Sequence, residues 1–195
     1  MQFEGDILFA AGPLGDDGRD HLRLVLVDRV EAWLRAGSQV FEDREAADLK
    51  QRIVERCALE PIRLDQSQAV AWKVSAASAP DGQPLLRAEK SLRYSGDELL
   101  FGLSPRAGLA DAPRAIVSPA TLRFVANAPW DHFASVRDAI EAAEQRVRQF
   151  LCWQHLDVAD VNRDLPEIAA ERLAAWRRQG VQGAPAGRLI ANSHA

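Results

Sequence analysis

The sequence predicts a mixed α+β protein. It has two N-terminal helices, an antiparallel β unit of about five strands, and a long C-terminal helix followed by a second, capped helix. Three observations carry this reading. Apolar residues recur at helical spacing before Glu60 and again after Asp131. Between 61 and 126 the period falls to two, with turn residues separating the runs. Those runs follow one another with no helix between them, which argues for α+β and against a parallel, doubly wound sheet. The implied organisation is a mixed body over 1–126, a helical arm over 127–179 and a flexible tail over 180–195.

Asp6 to Ala11 is a short strand candidate, closed by Gly12-Pro13. A first helix over 16–36 presents Leu22, Leu26, Val30, Trp33 and Leu34 on one face and stops at Gly37. A second, over 44–57, takes Asp43 as its N-cap, turns Ala46, Leu49, Ile53 and Cys57 inward, and shows Lys50, Arg52 and Glu55 to water. Glu60-Pro61 ends it. Val70, Trp72, Val74 and Ala76 then alternate with small or polar residues, as a half-buried strand does, and Pro80-Asp81-Gly82 supplies a turn. Leu86, Ala88, Leu92 and Tyr94 make a second run, and Leu99, Phe101 and Leu103 a third. Ala115-Ile116-Val117 and Thr121 to Val125 complete the β unit.

In the arm, Phe133, Val136, Ile140, Ala143, Val147, Phe150 and Gln154 follow one another at alternating steps of three and four, a heptad seam. At Asp164-Leu165-Pro166-Glu167 the signals of a helix start coincide: an N-cap aspartate, a proline in the first turn, and a glutamate as in a capping box. A new helix or a sharp kink is expected there. The segment carries Leu165, Ile168, Leu173 and Trp176 and ends at Arg177-Arg178-Gln179-Gly180, with cations at the negative end of the helix dipole.

Several motifs resemble a family of uncharacterised bacterial proteins between Val40 and about Gln179. They are Leu59-Glu60-Pro61-Ile62-Arg63-Leu64, Gln68-Ala69-Val70-Ala71, Leu92 to Leu100, and Leu103-Ser104-Pro105. The most specific is Asp157-Val158-Ala159-Asp160-Val161-Asn162-Arg163-Asp164-Leu165-Pro166, with Trp153 upstream. The resemblance implies a small β domain followed by long helices, acting as an accessory or sensing module near effector or defence genes. Where such proteins continue with a basic segment, this chain has Gly180-Val181-Gln182-Gly183-Ala184-Pro185.

Chemistry is sparse. At 47% hydrophobic and 27% charged the composition is that of a soluble globular chain. No apolar run approaches the ~20 residues of a membrane helix, and no basic segment precedes Ile7 to Ala11, so no signal peptide is expected. The expected setting is the cytoplasm, without membrane association. Cys57 and Cys152 are too few for a disulfide framework and read as two buried thiols. His21, His132, His155 and His194 have no metal-ligand spacing, and His132 and His155, near carboxylates, read as decoration at helix ends. With no phosphate loop and no nucleophile elbow, no catalytic residue, metal or cofactor is assigned.

The leading expectation is a non-catalytic interaction module that binds a protein partner or a second copy through its helical arm. The candidate interface is Phe133, Val136, Ile140, Val147, Phe150, Trp153, Leu165 and Trp176, a tryptophan-bearing seam of the kind that anchors interfaces. The second expectation is a nucleic-acid- or nucleotide-responsive sensor, with Arg172, Arg177 and Arg178 as phosphate contacts. A net charge of −4 and interleaved carboxylates disfavour it. The third is an enzyme whose site is dispersed through the chain.

Overall fold

The computed structural model describes residues 1–9, 18–37, 45–65, 71–105 and 112–183. Its sheet is arranged around β5 (Pro84–Ser95), the longest strand among the described residues. Along it Leu86, Ala88, Lys90, Leu92 and Tyr94 are buried, while the residues between them are more open. One flank of β5 pairs antiparallel with β7 (Thr121–Pro129), from Leu85↔Pro129 to Arg93↔Thr121. The other pairs with β4 (Ala71–Ser78) and with the two-residue β3 (Arg63–Leu64). Beyond β7 lie β1 (Gln2–Glu4) and β6 (Arg114–Ser118), and β2 (Asp6–Ile7) pairs with β6.

The protein is therefore α+β, with an antiparallel curled sheet and, among the described residues, three α-helices: α1 (Gly18–Ala36), α2 (Ala46–Cys57) and α3 (Phe133–Gly183). Five of the strands, β3 to β7, fall in the predicted β segment, but one expected strand is replaced. Leu99, Phe101 and Leu103 lie in and just after a 3-10 helix, Glu98–Gly102, which buries Leu100 and Phe101. A short apolar run does not reveal its period, and here the Asp97 carbonyl accepts the Leu100 N–H at 3.0 Å to start a turn. Helix α2 starts at Ala46 behind Glu45, which makes no side-chain cap bond. The expected cap Asp43, the strand positions Ala10, Ala11 and Val70, and the tail beyond 183 lie outside the described residues.

The main departure is at Pro166. The expected second helix does not start there; α3 runs through it, with Asp164 and Glu167 inside the helix and not at a cap. A proline within a helix costs about 3 kcal/mol relative to alanine. On either side of it Val161, Leu165, Ile168, Ala169 and Leu173 are buried. A fully buried large aliphatic side chain contributes about 1.5–3 kcal/mol, so this apolar stripe outweighs one lost backbone bond.

The chain divides into two compact units. One comprises Met1–Leu24 and Leu59–Asn162, the other Val25–Ala58 and Arg163–Ala195. The first holds the sheet and the proximal part of α3, with Leu122, Phe124, Ala126, Val136, Ile140, Val147 and Phe150 in its core. The Phe9 and Phe150 rings stack there at 4.9 Å between centroids. The second is helical, with a core of Leu26, Val30 and Leu34 from α1, Leu49, Ile53 and Cys57 from α2, and Leu165, Ile168 and Leu173 from α3. Spacings of three and four place each set on one helix face.

Gly96 has φ +101°, and a Cβ there would stand 2.4 Å from the Pro61 carbonyl oxygen. Gly82 also has a positive φ, +82°, but open space around it. Gly82→Ala should therefore cost about 1–2 kcal/mol for its backbone alone. Gly96→Ala should cost clearly more, because backbone must also move. Urea unfolding of the two variants side by side reads the difference, and equal losses would refute the steric account.

Candidate interaction surfaces

The sheet has two chemically distinct faces. On the outer face Glu4 accepts from Arg87 Nε and Nη2 at 3.2 and 2.9 Å and from Asn127 Nδ2 at 2.7 Å. Arg87 and Arg123 also flank Glu89, at 3.6 and 3.7 Å. The Arg87 bonds, then the Asn127 bond, hold the Glu4 carboxyl down at about 2 against a weaker opposing effect of burial. A carboxyl lowered on folding adds stability above its ordinary value of 4.5 and loses it as pH falls toward about 2. Urea unfolding between those limits should show a smaller loss in Glu4→Gln than in the wild type. An unchanged pH dependence would remove Glu4 from the acid response.

The inner face is mostly apolar and carries a buried ion pair. Lys90 Nζ lies 2.5 Å from Glu144 Oε2 on α3, and Arg148 Nε and Nη2 donate to Glu144 Oε1 at 2.9 and 2.7 Å. Lys90 and Glu144 are both buried, at 8% and 7% exposure. Burial pushes the Glu144 carboxyl up, but the bonds from Lys90 and Arg148 outweigh it and hold the group below its ordinary value. Lys90 Nζ also lies 5.3 Å from the centroid of the Trp72 ring, a cation–π distance.

Trp72 lies on β4, which among the described residues pairs only with β5. Trp72, Val74 and Ala76 oppose Lys90, Ala88 and Leu86 in the ladder, so they share the inner face. Their partners on β5 are buried, whereas Trp72 and Val74 remain 36% and 47% exposed. The alternation in β4 is thus the expected one, but the burial that usually accompanies it is missing. Phe133, at the start of α3, is exposed at 42%.

The expected interface seam faces the other way. Val136, Ile140, Val147, Phe150 and Leu165 are buried in the chain's own core, and Trp153 and Trp176 are half-buried. A heptad seam toward a partner helix and a helix packed on its own sheet leave the same spacing in sequence. Of the eight candidates only Phe133 is openly exposed. Among the phosphate candidates, Arg172 Nη1 pairs with Glu31 Oε1 at 3.2 Å, beside Leu34, Arg35 and Trp176 in a groove of about 190 Å³. Arg177 is half-buried and Arg178 exposed.

Polar side chains near the middle of α3 clasp the loops, and sequence reasoning did not single them out for this. Gln154 Nε2 donates to the Leu100 and Leu103 carbonyls at 2.6 and 2.9 Å. The Asn162 amide bonds both the N–H and the C=O of Leu59, at 3.0 and 2.9 Å. His155 Nε2 lies 2.6 Å from the Ile62 carbonyl, which makes it a mid-helix tether and not decoration at a helix end. The Glu60 N–H donates to Asp97 Oδ2 at 2.7 Å, and the Asp97 N–H donates back to the Glu60 carbonyl at 2.9 Å. Leu59–Leu64, Ser95–Leu103 and the stretch around Asn162 are thereby tied together, and these are segments that carried the family resemblance. The bonds these side chains make go to backbone, so the cluster holds loops in place, although Gln154 Oε1 is buried without a hydrogen-bond partner.

Of the thiols, Cys57 is buried, and burial pushes its pKa up, with Arg29 opposing; Cys152 is exposed, against expectation. Among the described residues no cluster of three or more histidines, cysteines or carboxylates is arranged to hold a metal. A cleft of about 340 Å³ is lined by Phe3, Arg114, Ala139, Ala143 and Arg146. Arg114 Nη1 there donates to the Gly5 carbonyl at 3.1 Å, and Arg146 is engaged as well. The cleft therefore offers a ligand mainly shape.

Taken together, these features define an α+β protein in which the part of α3 before Arg163 packs on one face of an antiparallel sheet, and among the described residues no strand lies along the outer side of β4. No helix among the described residues is long and apolar enough to cross a membrane. No protein-family model matches the chain, and no curated protein or solved structure matches it either.

Proposed function

We propose that this protein is a non-catalytic interaction module, binding a protein partner or a second copy of itself at the apolar rim of its sheet. The observation that carries the reading is the exposure of Trp72 and Val74 on the inner face, beside buried partners on β5. An aromatic ring next to an aliphatic side chain, held on a paired strand, is the kind of anchor that interfaces use. Phe133 is the arm residue available to join it. The buried seam residues of α3 belong to the chain's own core instead of meeting the partner.

Trp72→Glu tests this directly. A carboxylate there stands opposite Lys90 in the ladder, so the fold is expected to survive, which circular dichroism checks. Sedimentation velocity should show an associating wild-type chain and a monomeric variant. Association of equal strength in both would overturn the proposal. The sensor reading has less to stand on, because Arg172 already has a carboxylate partner in Glu31. It requires binding of oligonucleotide or nucleotide that weakens steeply with salt and is lost when Arg177 and Arg178 are both replaced by alanine.

A further inference from the structure

Strand β4 pairs with β5 from Ala71↔Ser91 to Ser78↔Pro84, and among the described residues no strand lies along its other side. The pairing phase shows which backbone groups are left over. The Ala79 N–H donates to the Gln83 carbonyl at 2.9 Å, one step beyond Ser78↔Pro84. Hydrogen-bonded and non-hydrogen-bonded pairs alternate along an antiparallel ladder. Ala77, Ser75 and Lys73 therefore direct their N–H and C=O groups toward β5, and Trp72, Val74, Ala76 and Ser78 direct theirs to the open side. Pro84, which has no N–H to give, stands opposite Ser78, as this phase requires.

Sheet edges are usually guarded by proline, bulges or inward-pointing charge. Ala71–Ser78 has no proline, its register is unbroken, and its one charged residue, Lys73, lies on the outer face opposite Glu89. The occupant that fits such an edge is another β-strand.

We infer that a second copy of this chain closes the edge by antiparallel β4–β4 pairing centred on Val74. This rests on the interaction-module reading and adds its partner and geometry. In a two-fold pair with its axis normal to the sheet, like faces meet like faces. With Val74 on the axis, Trp72 of each copy stands opposite Ala76 of the other on the inner face, and Lys73 stands opposite Ser75 on the outer face. The two Lys73 side chains are then offset by two residues, about 7 Å along the strand. Centring on Lys73 would set two ammonium groups directly opposite, which destabilises a cross-strand pair. Centring on Ser75 would place Trp72 opposite Ser78 and lose the apolar match. Charge and apolar fit select the same register. In it Trp72, Val74 and Ala76 exchange N–H···O bonds through outward groups that no strand among the described residues pairs.

The experiment measures the monomer–dimer equilibrium of the full chain by sedimentation equilibrium, with circular dichroism as the fold check. Val74→Pro removes an outward N–H without touching the ladder to β5 and should abolish the dimer. Ser75→Glu places a carboxylate opposite Lys73 of the second copy and should tighten the dimer several-fold at low salt, an effect that disappears at high salt. Shortening the chain after Gly183 should leave the equilibrium unchanged. A native-like Val74→Pro variant that dimerises as the wild type does would overturn the inference, and so would a Ser75→Glu variant with no salt-dependent gain. If Trp72→Glu abolishes association while both of these leave it intact, the rim binds by side chains alone and the strand-pairing inference fails. A wild-type chain that is monomeric at every concentration overturns the self-association.

Discussion

Lys90→Met should lower stability at neutral pH by about 3 kcal/mol, the low end of what breaking a buried ion pair costs. The substitution keeps the apolar stem but leaves Glu144 Oε2 without the ammonium group 2.5 Å away. Arg148 still holds the other oxygen, which places the loss at the low end of the range. The Glu144 carboxyl, now opposed by burial with one cation fewer, should titrate at higher pH than before. A carboxyl depressed on folding contributes stability above its unfolded value and loses it as pH falls through its folded value. Stability of the variant should therefore begin to fall at a higher pH than that of the wild type. Replacing both partners, Lys90→Met with Glu144→Leu, should return stability to within about 1 kcal/mol of the wild type, because two desolvation costs go with the pair. Urea unfolding of the wild type, both single variants and the double variant closes the cycle. A double variant as unstable as Lys90→Met would mean that the pair is worth more than apolar packing in the same space.

Pro166→Ala is expected to act in the opposite direction, stabilising the protein by about 2 kcal/mol. Alanine in a helix interior is better than proline by about 3 kcal/mol, and about 0.4–1 kcal/mol of that is returned because proline restricts the unfolded chain. The substitution supplies an N–H for the Asn162 carbonyl, four residues back, while Leu165 and Ile168 keep their buried positions. Measured by urea unfolding, the gain should come with an unchanged m-value. A destabilised variant would show that the proline sets a backbone shape the packing depends on.

The two experiments bear on features that were unequally legible. Lys90 is an unremarked lysine in a strand pattern, and nothing in the sequence links it to a glutamate on α3. Pro166 carries strong local signals, yet the buried stripe from Val161 to Leu173 outweighs them. The same limit explains the 3-10 helix at Glu98–Gly102, since a short apolar run has no period to read. It also explains Gln154, His155 and Asn162: a side chain that grips a backbone carbonyl carries no signature of its own. Val136, Ile140, Val147 and Phe150 share one buried face of α3, but a single sequence does not record which surface that face meets.

The amino-acid order alone determined the α+β class, the stretches that become α1, α2 and α3, and the alternation of β4, β5 and β7. Those depend on periods of 3.6 and 2, which are local properties of the chain. Tertiary structure alone decided that the seam packs inward, that Pro166 lies within α3, and that Trp72 and Val74 are left uncovered. Each of these depends on how far one element extends over another, a free-energy balance among residues distant in sequence that no local pattern records.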